Sequence, residues 1–178
     1  MGQMTKDPRD GNNPKTESLV VVVMGLPGSG KSYFAQRLAE TLDAAYINSD
    51  RLRRELFPKR TYSDLEKAKV YAVMLKRMEE AIGQDKNLVL DATFYNNKTR
   101  EPFMGHMGKR IFFIEIWADE DIIRERLAKE RPYSEADLGV YHSIKRQWEP
   151  LERRHLILRS TNTNIGSMLD KAIQYLKP

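Results

Sequence analysis

The sequence predicts an α/β fold in which helices cover both faces of a parallel sheet. Short apolar runs rich in β-branched residues alternate with stretches of helical periodicity along the chain. The most strand-like run is Leu19–Met24, which contains four consecutive valines and is followed directly by a glycine-rich segment and a helical pattern. Because parallel strands are joined by helical crossovers, this alternation predicts three layers, with the sheet between two layers of helices.

Strands and helices are predicted in a regular order. The strands are expected at residues 19–24, 44–48, 87–92, 110–118 and 155–159. The helices are expected at residues 32–42, 62–84, 97–105, 119–130, 135–148 and 165–176. At the start of the long second helix, Ser63 followed three residues later by Glu66 has the pattern of a capping box. Residues 1–17 are polar and without an apolar run, so we expect a flexible tail before a single domain at 18–178.

Composition excludes several classes of protein. The chain has no cysteine, which rules out disulfides, thiolate zinc sites and cysteine nucleophiles and fits a reducing, cytoplasmic setting. The apolar run at 19–24 is far shorter than the roughly 20 residues that cross a bilayer, so we expect no membrane partner. Lys and Arg total 30 against 25 Asp and Glu. Such an excess of basic residues is typical of proteins that bind nucleic acid, but it is equally expected of a protein that binds a polyphosphate.

The strongest motif is Gly25-Leu26-Pro27-Gly28-Ser29-Gly30-Lys31-Ser32, which matches G-x-x-x-x-G-K-[ST] between a predicted strand and a predicted helix. Its glycines let the backbone wrap around a β-phosphate, and the helix N-terminus adds partial positive charge. Lys31 is expected to bridge the β- and γ-phosphates, and the Ser32 hydroxyl to ligate Mg²⁺. The motif therefore predicts a P-loop that binds ATP with Mg²⁺ through Gly25, Pro27, Gly28, Ser29, Gly30, Lys31 and Ser32. GTPases, motor ATPases and switches share this loop, so it does not by itself indicate a kinase.

Two carboxylates follow predicted strands. Asp50 comes after the second strand with Arg53 one helical turn further on, at the sheet edge where open α/β folds bind ligands. Asp50 could accept the proton of an acceptor hydroxyl, or it could merely cap a helix. Arg53 could hold an anionic acceptor or fix that carboxylate. Asp91 ends an apolar strand, where it could hold a Mg²⁺-bound water or orient the acceptor, and Arg100 could be only a solvated helix charge.

Basic residues crowd the helix predicted after the fourth strand, namely Arg124, Arg126, Lys129 and Arg131. Acidic residues are interleaved with them, so a solvated face of ion pairs is one interpretation. The other is a mobile helical lid whose arginines close over the phosphates during transfer. Thr161 and Thr163 lie in a polar segment between the last strand and the last helix. That segment could cap the helix or line the adenine.

Together these segments resemble the polynucleotide-kinase-like P-loop kinases, an AAA-type family of predicted kinases, and most of all a bacterial branch whose acceptor is unassigned. The segments that carry the resemblance are Gly25–Ser32, Ser49-Asp50…Arg53, Asp91-Ala92-Thr93…Arg100, the basic helix and Trp148-Glu149-Pro150. The resemblance implies a P-loop NTPase fold of three α/β/α layers, with a five-stranded parallel sheet of kinase-type order 2-3-1-4-5 and a helical lid.

The resemblance also implies residue roles. Asp50 would be the general base toward the acceptor hydroxyl, and Arg53 would contact the acceptor, through a phosphate in the polynucleotide kinases. Asp91 would support the metal or the acceptor. Tyr33 stands where the family often has Thr, at a contact to the α-phosphate. The implied lid residues are Arg126 and Arg131.

The sequence therefore predicts an ATP-dependent kinase that transfers the γ-phosphoryl group to an acceptor hydroxyl. The acceptor could be a 5′-hydroxyl end of DNA or RNA, as in the polynucleotide kinases, or a small molecule such as a sugar, an antibiotic or a nucleoside. A third interpretation is an ATP-binding switch without an acceptor. The presence of both Asp50 and Asp91 argues against that interpretation.

Overall fold

The sheet has the kinase-type strand order. The computed structural model describes residues 18–105, 110–129 and 136–177. Its strands are β1 (Leu19–Met24), β2 (Ala45–Asn48), β3 (Leu88–Asp91), β4 (Arg110–Trp117) and β5 (Leu156–Arg159). They pair in parallel in the order β2-β3-β1-β4-β5, which confirms the order implied by the family resemblance.

Helices fill the crossovers between these strands. Those in the described residues are α1 (Lys31–Thr41), α2 (Ser49–Leu56), α3 (Asp64–Gly83), α4 (Asn97–Met104), α5 (Glu120–Leu127), α6 (Leu138–Arg146) and α7 (Ile165–Leu176). Six correspond to predicted helices, with ends that differ by at most three residues where the structure describes them. The expected tail at 1–17 and the lid candidate Arg131 lie outside the described residues.

Strand β1 divides the core in two because successive side chains of a strand point to opposite faces. Val20 and Val22 pack with the buried face of α3, while Val21 and Val23 pack with α1 and α7. All four valines are fully buried. Helices therefore cover both faces of the sheet, and the predicted three-layer α/β/α fold is confirmed. Along the described stretches, no helix is both long enough and apolar enough to cross a membrane.

The carboxyl ends of the central strands meet at one edge of the sheet. Asn48 at the end of β2 is the register partner of Asp91 at the end of β3. Asp91 is in turn the partner of Val23, one residue before the end of β1. The segment after β1, the start of α2 and the end of β3 therefore lie next to one another, where parallel sheets bind their ligands.

Candidate functional site

The glycine-rich segment forms a tight loop between β1 and α1. Gly28 and Gly30 have left-handed backbones, with φ of 77° and 89°, and Gly30 is the N-cap of α1. A Cβ on Gly30 would lie 2.8 Å from Ser160 Oγ and 2.9 Å from Arg126 Nη1. A Cβ on Gly25 would lie 2.3 Å from the carbonyl oxygen of Ile116. Glycine is therefore required at these positions both by backbone conformation and by close approach.

A cleft of about 640 Å³ opens beside this loop and brings together most of the predicted site residues. The predicted residues that line it are Gly28, Gly30, Lys31, Ser32, Tyr33, Asp50, Arg126 and Thr161. Gly25, Pro27 and Ser29 are buried within the loop itself, and Thr163 is exposed on the segment before α7. The cleft thus joins the P-loop, the first turn of α2 and the segment that follows β5.

Asp91 lies fully buried behind the P-loop. Its Oδ2 accepts hydrogen bonds from Tyr46 Oη at 2.7 Å and from Asn48 Nδ2 at 2.5 Å. Burial, together with the Asp91 charge, raises the pKa of Tyr46, so its hydroxyl remains a donor at neutral pH. Asn48 Nδ2 is also 3.4 Å from Ser32 Oγ. Neither Tyr46 nor Asn48 was assigned a role from the sequence, although Asn48 stands at a predicted strand end two residues before Asp50.

These residues fit a P-loop Mg²⁺ ion. Asp91 Oδ1 is buried without a hydrogen-bond partner among the described residues, which is costly unless a ligand or water supplies one. Ser32 Oγ could ligate the ion directly, and Asp91 Oδ1 could accept from a metal-bound water, since Mg²⁺ usually keeps several waters. The described part of the chain contains no cluster of three or more His, Asp or Glu residues suited to a metal. Mg²⁺ at kinase sites usually takes most of its ligands from phosphate and water oxygens.

Asp50 does not cap helix α2. The N-cap is Asn48, whose Oδ1 accepts from the backbone N–H of Asp50 at 3.1 Å and of Arg51 at 2.9 Å. The alternative interpretation of Asp50 as a helix cap is therefore wrong, because the cap position lies two residues earlier. Asp50 instead lies inside the first turn and is one of the residues that line the cleft.

Arg53 follows one turn after Asp50 but lies outside the residues that line the cleft. It is 8% exposed, and its Nη1 lies 3.7 Å from Glu66 Oε2 on α3. The ring of Tyr62 covers its guanidinium at 5.2 Å. Arg53 Nε and Nη1 have no hydrogen-bond partner in the described structure. Little of Arg53 is exposed, and the expected acceptor contact stays a prediction.

Glu66 organises the segment that joins α2 to α3. Its carboxylate accepts from Thr61 N at 2.7 Å, Thr61 Oγ1 at 2.9 Å and Tyr62 N at 2.9 Å, while Ser63 Oγ accepts from Glu66 N. In a capping box the Glu66 carboxylate would accept from the backbone N–H of Ser63. Here it accepts from Thr61 and Tyr62 instead. Burial alone would raise the pKa of Glu66, but the hydrogen bonds from Thr61 and Tyr62, with the charge of Arg53, hold it below its ordinary value.

Arg126 joins the P-loop to the segment after β5. Its Nη1 donates to the carbonyl of Gly28 at 3.2 Å, its Nη2 to the carbonyl of Thr161 at 2.9 Å and to Ser160 Oγ at 3.2 Å, and its Nε to Asn162 Oδ1 at 3.2 Å. This side chain therefore connects two walls of the cleft. Its counterpart as a lid candidate, Arg131, lies outside the described residues.

Arg100 is not the solvated helix charge that the sequence suggested. It is fully buried, its Nε donates to the carbonyl of Phe94 at 2.6 Å, and its guanidinium lies 5.1 Å from the ring of Trp148. Burial lowers the pKa of Arg100, partly offset by Glu115 and Glu149. Phe94 itself has a left-handed φ of 47°, so Arg100 stabilises a strained residue in the loop after β3.

The Trp148-Glu149-Pro150 segment holds the same loop from its other side. Glu149 Oε2 accepts from Asn97 N at 2.7 Å, and Glu149 N donates to the carbonyl of Tyr95 at 2.8 Å. One residue before Phe94, the carbonyl of Thr93 accepts from Gly25 N at 3.4 Å. Two of the segments that carry the family resemblance, the loop after β3 and the Trp148-Glu149-Pro150 segment, therefore contact each other, and the loop after β3 also contacts the P-loop at Gly25.

Comparisons with known proteins agree with this geometry. The shikimate kinase of Corynebacterium efficiens is 28% identical over 127 residues, covering 69% of this chain and 73% of that protein. The APS kinase of Mycobacterium tuberculosis, solved with AMPPNP and APS, is 22% identical with a TM-score of 0.71, covering 91% of this chain and 99% of that one. The gluconokinase of Sinorhizobium meliloti is 18% identical with a TM-score of 0.67, covering 90% of this chain and 92% of that one.

At these identities the solved structures show a shared fold, the P-loop kinase-type α/β fold, and they do not identify an acceptor. The relatives named here are kinases, and nothing in the comparisons singles out the polynucleotide-kinase-like branch. A family model described as AAA domain matches residues 20–151, which is well over half of the sequence. The chain therefore belongs to the AAA_33 family of AAA domains.

Proposed function

We propose that this protein is an ATP-dependent kinase that transfers the γ-phosphoryl group of ATP to a hydroxyl of a small molecule. The observation that carries the proposal is that Lys31, Ser32 and Asp50 line one continuous cleft. A nucleotide-dependent switch needs only the first two of these residues. A transferase also needs a carboxylate on the acceptor side of the same cleft, where the hydroxyl must be aimed and its proton accepted.

The proposed reaction assigns a role to each of these side chains. The acceptor oxygen forms a bond to the γ-phosphorus while the bond from that phosphorus to the β–γ bridging oxygen breaks, leaving ADP. Asp50 accepts the hydroxyl proton, and the Lys31 ammonium stabilises the charge that develops on the β- and γ-phosphate oxygens. Mg²⁺, when bound, would neutralise part of that charge from a site at Ser32 and Asp91.

A small acceptor is favoured over a polynucleotide for two reasons. The named relatives are a shikimate kinase, a gluconokinase and an APS kinase, which supports small-molecule chemistry. In addition, Arg53, the residue expected to hold the phosphate of a nucleic acid, is covered by Tyr62 and paired with Glu66. The formal charge of +5 remains in favour of a polynucleotide, but it points to no particular residue.

The test is a transfer assay with γ-labelled ATP and Mg²⁺ against a panel of hydroxyl compounds. The panel contains neutral sugars, sugar acids, aminoglycosides, nucleosides, and DNA and RNA oligonucleotides with 5′-hydroxyl ends. We expect label on a small molecule with the wild type and with Lys171→Ala, which removes an exposed lysine on α7. Lys31→Ala should reduce transfer by at least about 100-fold.

Two other outcomes would contradict the proposal. Label found only on oligonucleotides would support the polynucleotide interpretation. Tight ATP binding with no transfer to any compound in the panel would support an ATP-binding switch.

A further inference from the structure

Asn48 uses both ends of its side-chain amide within the site. Its Oδ1 accepts from the backbone N–H groups of Asp50 and Arg51, the first turn of α2. Its Nδ2 donates to Asp91 Oδ2 at 2.5 Å and lies 3.4 Å from Ser32 Oγ. Asn48 is 8% exposed, so these contacts are shielded from bulk water. One buried side chain therefore contacts both the residues suited to Mg²⁺ and the helix that carries Asp50.

Tyr46 completes the arrangement around Asp91. Its hydroxyl donates to the same oxygen of Asp91, at 2.7 Å. With two donors on Oδ2, the carboxylate is held in one rotation, and Oδ1 is left as the oxygen without a partner among the described residues. Groups that hydrogen-bond a metal-binding carboxylate orient it and tune its affinity for the metal.

We propose that Asn48 is a positioning residue that couples the Mg²⁺ side of the site to the acceptor side, with Tyr46 as the second donor to Asp91. The inference rests on the proposed function and extends it to a residue without a role in the transfer step. A Mg²⁺ ion held near Ser32 and Asp91 would fix the Asp91 carboxylate more firmly, and with it the Asn48 amide that donates to Oδ2. The other end of that amide holds the first turn of α2, so Asp50 is ordered in the same event.

The amide is well suited to this role because it carries a donor and an acceptor on one short side chain. Serine at position 48 would still cap α2, since its hydroxyl accepts from a helix N–H, but it is too short to reach Asp91 as well. Alanine would lose both contacts. Tyr46→Phe would remove only the second donor to Asp91 and leave the cap intact. These three variants separate the two ends of the proposed coupling.

The experiment measures AMPPNP affinity by calorimetry with and without Mg²⁺, together with amide hydrogen exchange at Asp50 and Arg51. In the wild type, we expect Mg²⁺ to strengthen AMPPNP binding and to slow exchange at these two amides. In Asn48→Ser, the apparent Mg²⁺ affinity should fall by about 10- to 100-fold, while the midpoint of urea unfolding falls less than in Asn48→Ala because the cap of α2 is kept. Asn48→Ala should lose both the Mg²⁺ effect and stability.

The matched control is Asn96→Ala, which removes an asparagine cap of the same kind from α4, where Asn96 Oδ1 accepts from Thr99 N at 3.0 Å. It should lose stability and keep the Mg²⁺ effect. If Asn48→Ser misfolds, Tyr46→Phe should still show the weakened Mg²⁺ affinity. Wild-type Mg²⁺ affinity and exchange in both Asn48→Ser and Tyr46→Phe would overturn the inference and leave the proposed function standing. If Mg²⁺ left the AMPPNP affinity of the wild-type protein unchanged, the proposed function itself would be overturned.

Discussion

Arg53 and Glu66 form an ion pair, with Arg53 Nη1 and Glu66 Oε2 3.7 Å apart, and each residue is less than one-tenth exposed. Such a pair loses hydration on both sides, and it is favourable only where hydrogen bonds satisfy the remaining groups. Glu66 meets that condition through Thr61 and Tyr62, whereas Arg53 Nε and Nη1 have no hydrogen-bond partner in the described structure. The pair connects α2 to α3, and removing either charge would leave the other buried without its partner.

Glu66→Gln should destabilise the fold in a pH-dependent way. The pKa of Glu66 is held below its ordinary value, so its carboxylate contributes stability that is complete above the unfolded pKa of about 4.3. That contribution is lost as pH falls through the lower, folded-state pKa. The difference in urea midpoint between wild type and variant should therefore be constant from about pH 7 to 5 and shrink below about pH 4.

The control for this measurement is Glu79→Gln, an exposed glutamate on the same helix. It should unfold like the wild type at each pH. A difference between wild type and Glu66→Gln that widened on acidification would contradict the proposed role of the carboxylate.

The sequence predicted the fold well because its signals are local. The valine run of β1, the P-loop and the alternation of elements each lie within a few residues of chain, and they determine strand, loop and layer. Helix α2 is the exception to this agreement. From the sequence, Asp50 and Arg53 were expected at a possible helix start, but the helix itself was not predicted. Its sequence, SDRLRREL, is mostly charged and has no wide apolar stripe. It depends on the Asn48 cap and on packing against α3.

The candidate site was predictable only in part. The ends of β1, β2 and β3 had to meet at one edge, which brings Asp50 and Asp91 to the P-loop. The burial of Arg53 and Arg100 had no such signal, because arginine is usually exposed and the contacts that bury these two form between different elements. Glu66 on α3 and Trp148 after α6 become their neighbours only in the folded protein.

Arg126→Ala should weaken ATP binding rather than only slow transfer. The side chain donates to Gly28 and Thr161 on two walls of the cleft, so its loss would loosen both. We expect AMPPNP affinity to fall by about tenfold and stability by about 1–2 kcal/mol, from the loss of charge-assisted hydrogen bonds. Arg124→Ala, which removes an exposed arginine of the same helix, should change neither. Unchanged affinity with slower turnover would instead favour a charge-stabilising lid arginine.

Arg100→Met should destabilise the loop after β3. Methionine fills similar space, but it leaves the carbonyl of Phe94 without its donor, at a cost of about 1–3 kcal/mol. Arg100→Lys should not restore stability, because lysine has no Nε–H at the position from which Arg100 donates to the carbonyl of Phe94. The midpoint of urea unfolding should fall in Arg100→Met. The AMPPNP affinity should fall as well, since Thr93 in this loop accepts from Gly25 of the P-loop. Lys98→Met, an exposed change on the same helix, should leave both unchanged.

Asp50→Asn separates a catalytic base from a carboxylate that only favours its helix. Because Asn48 is the cap of α2, Asp50 contributes to this helix as a first-turn charge, an effect worth about 0.3–1 kcal/mol. A general base is worth far more to the reaction, about 10²- to 10⁴-fold in rate. We therefore expect near-normal unfolding and AMPPNP affinity, with transfer to the acceptor reduced by at least about 100-fold.

Asp64→Asn is the matched control for that variant, because Asp64 occupies the first turn of α3 and is not among the residues that line the cleft. It should lose a similar small amount of stability and retain full transfer. If Asp50→Asn transferred phosphate as fast as Asp64→Asn, Asp50 would have no part in accepting the proton. The shared cleft of Lys31, Ser32 and Asp50 would then no longer argue for a kinase over an ATP-binding switch, because the acceptor side would lack its base.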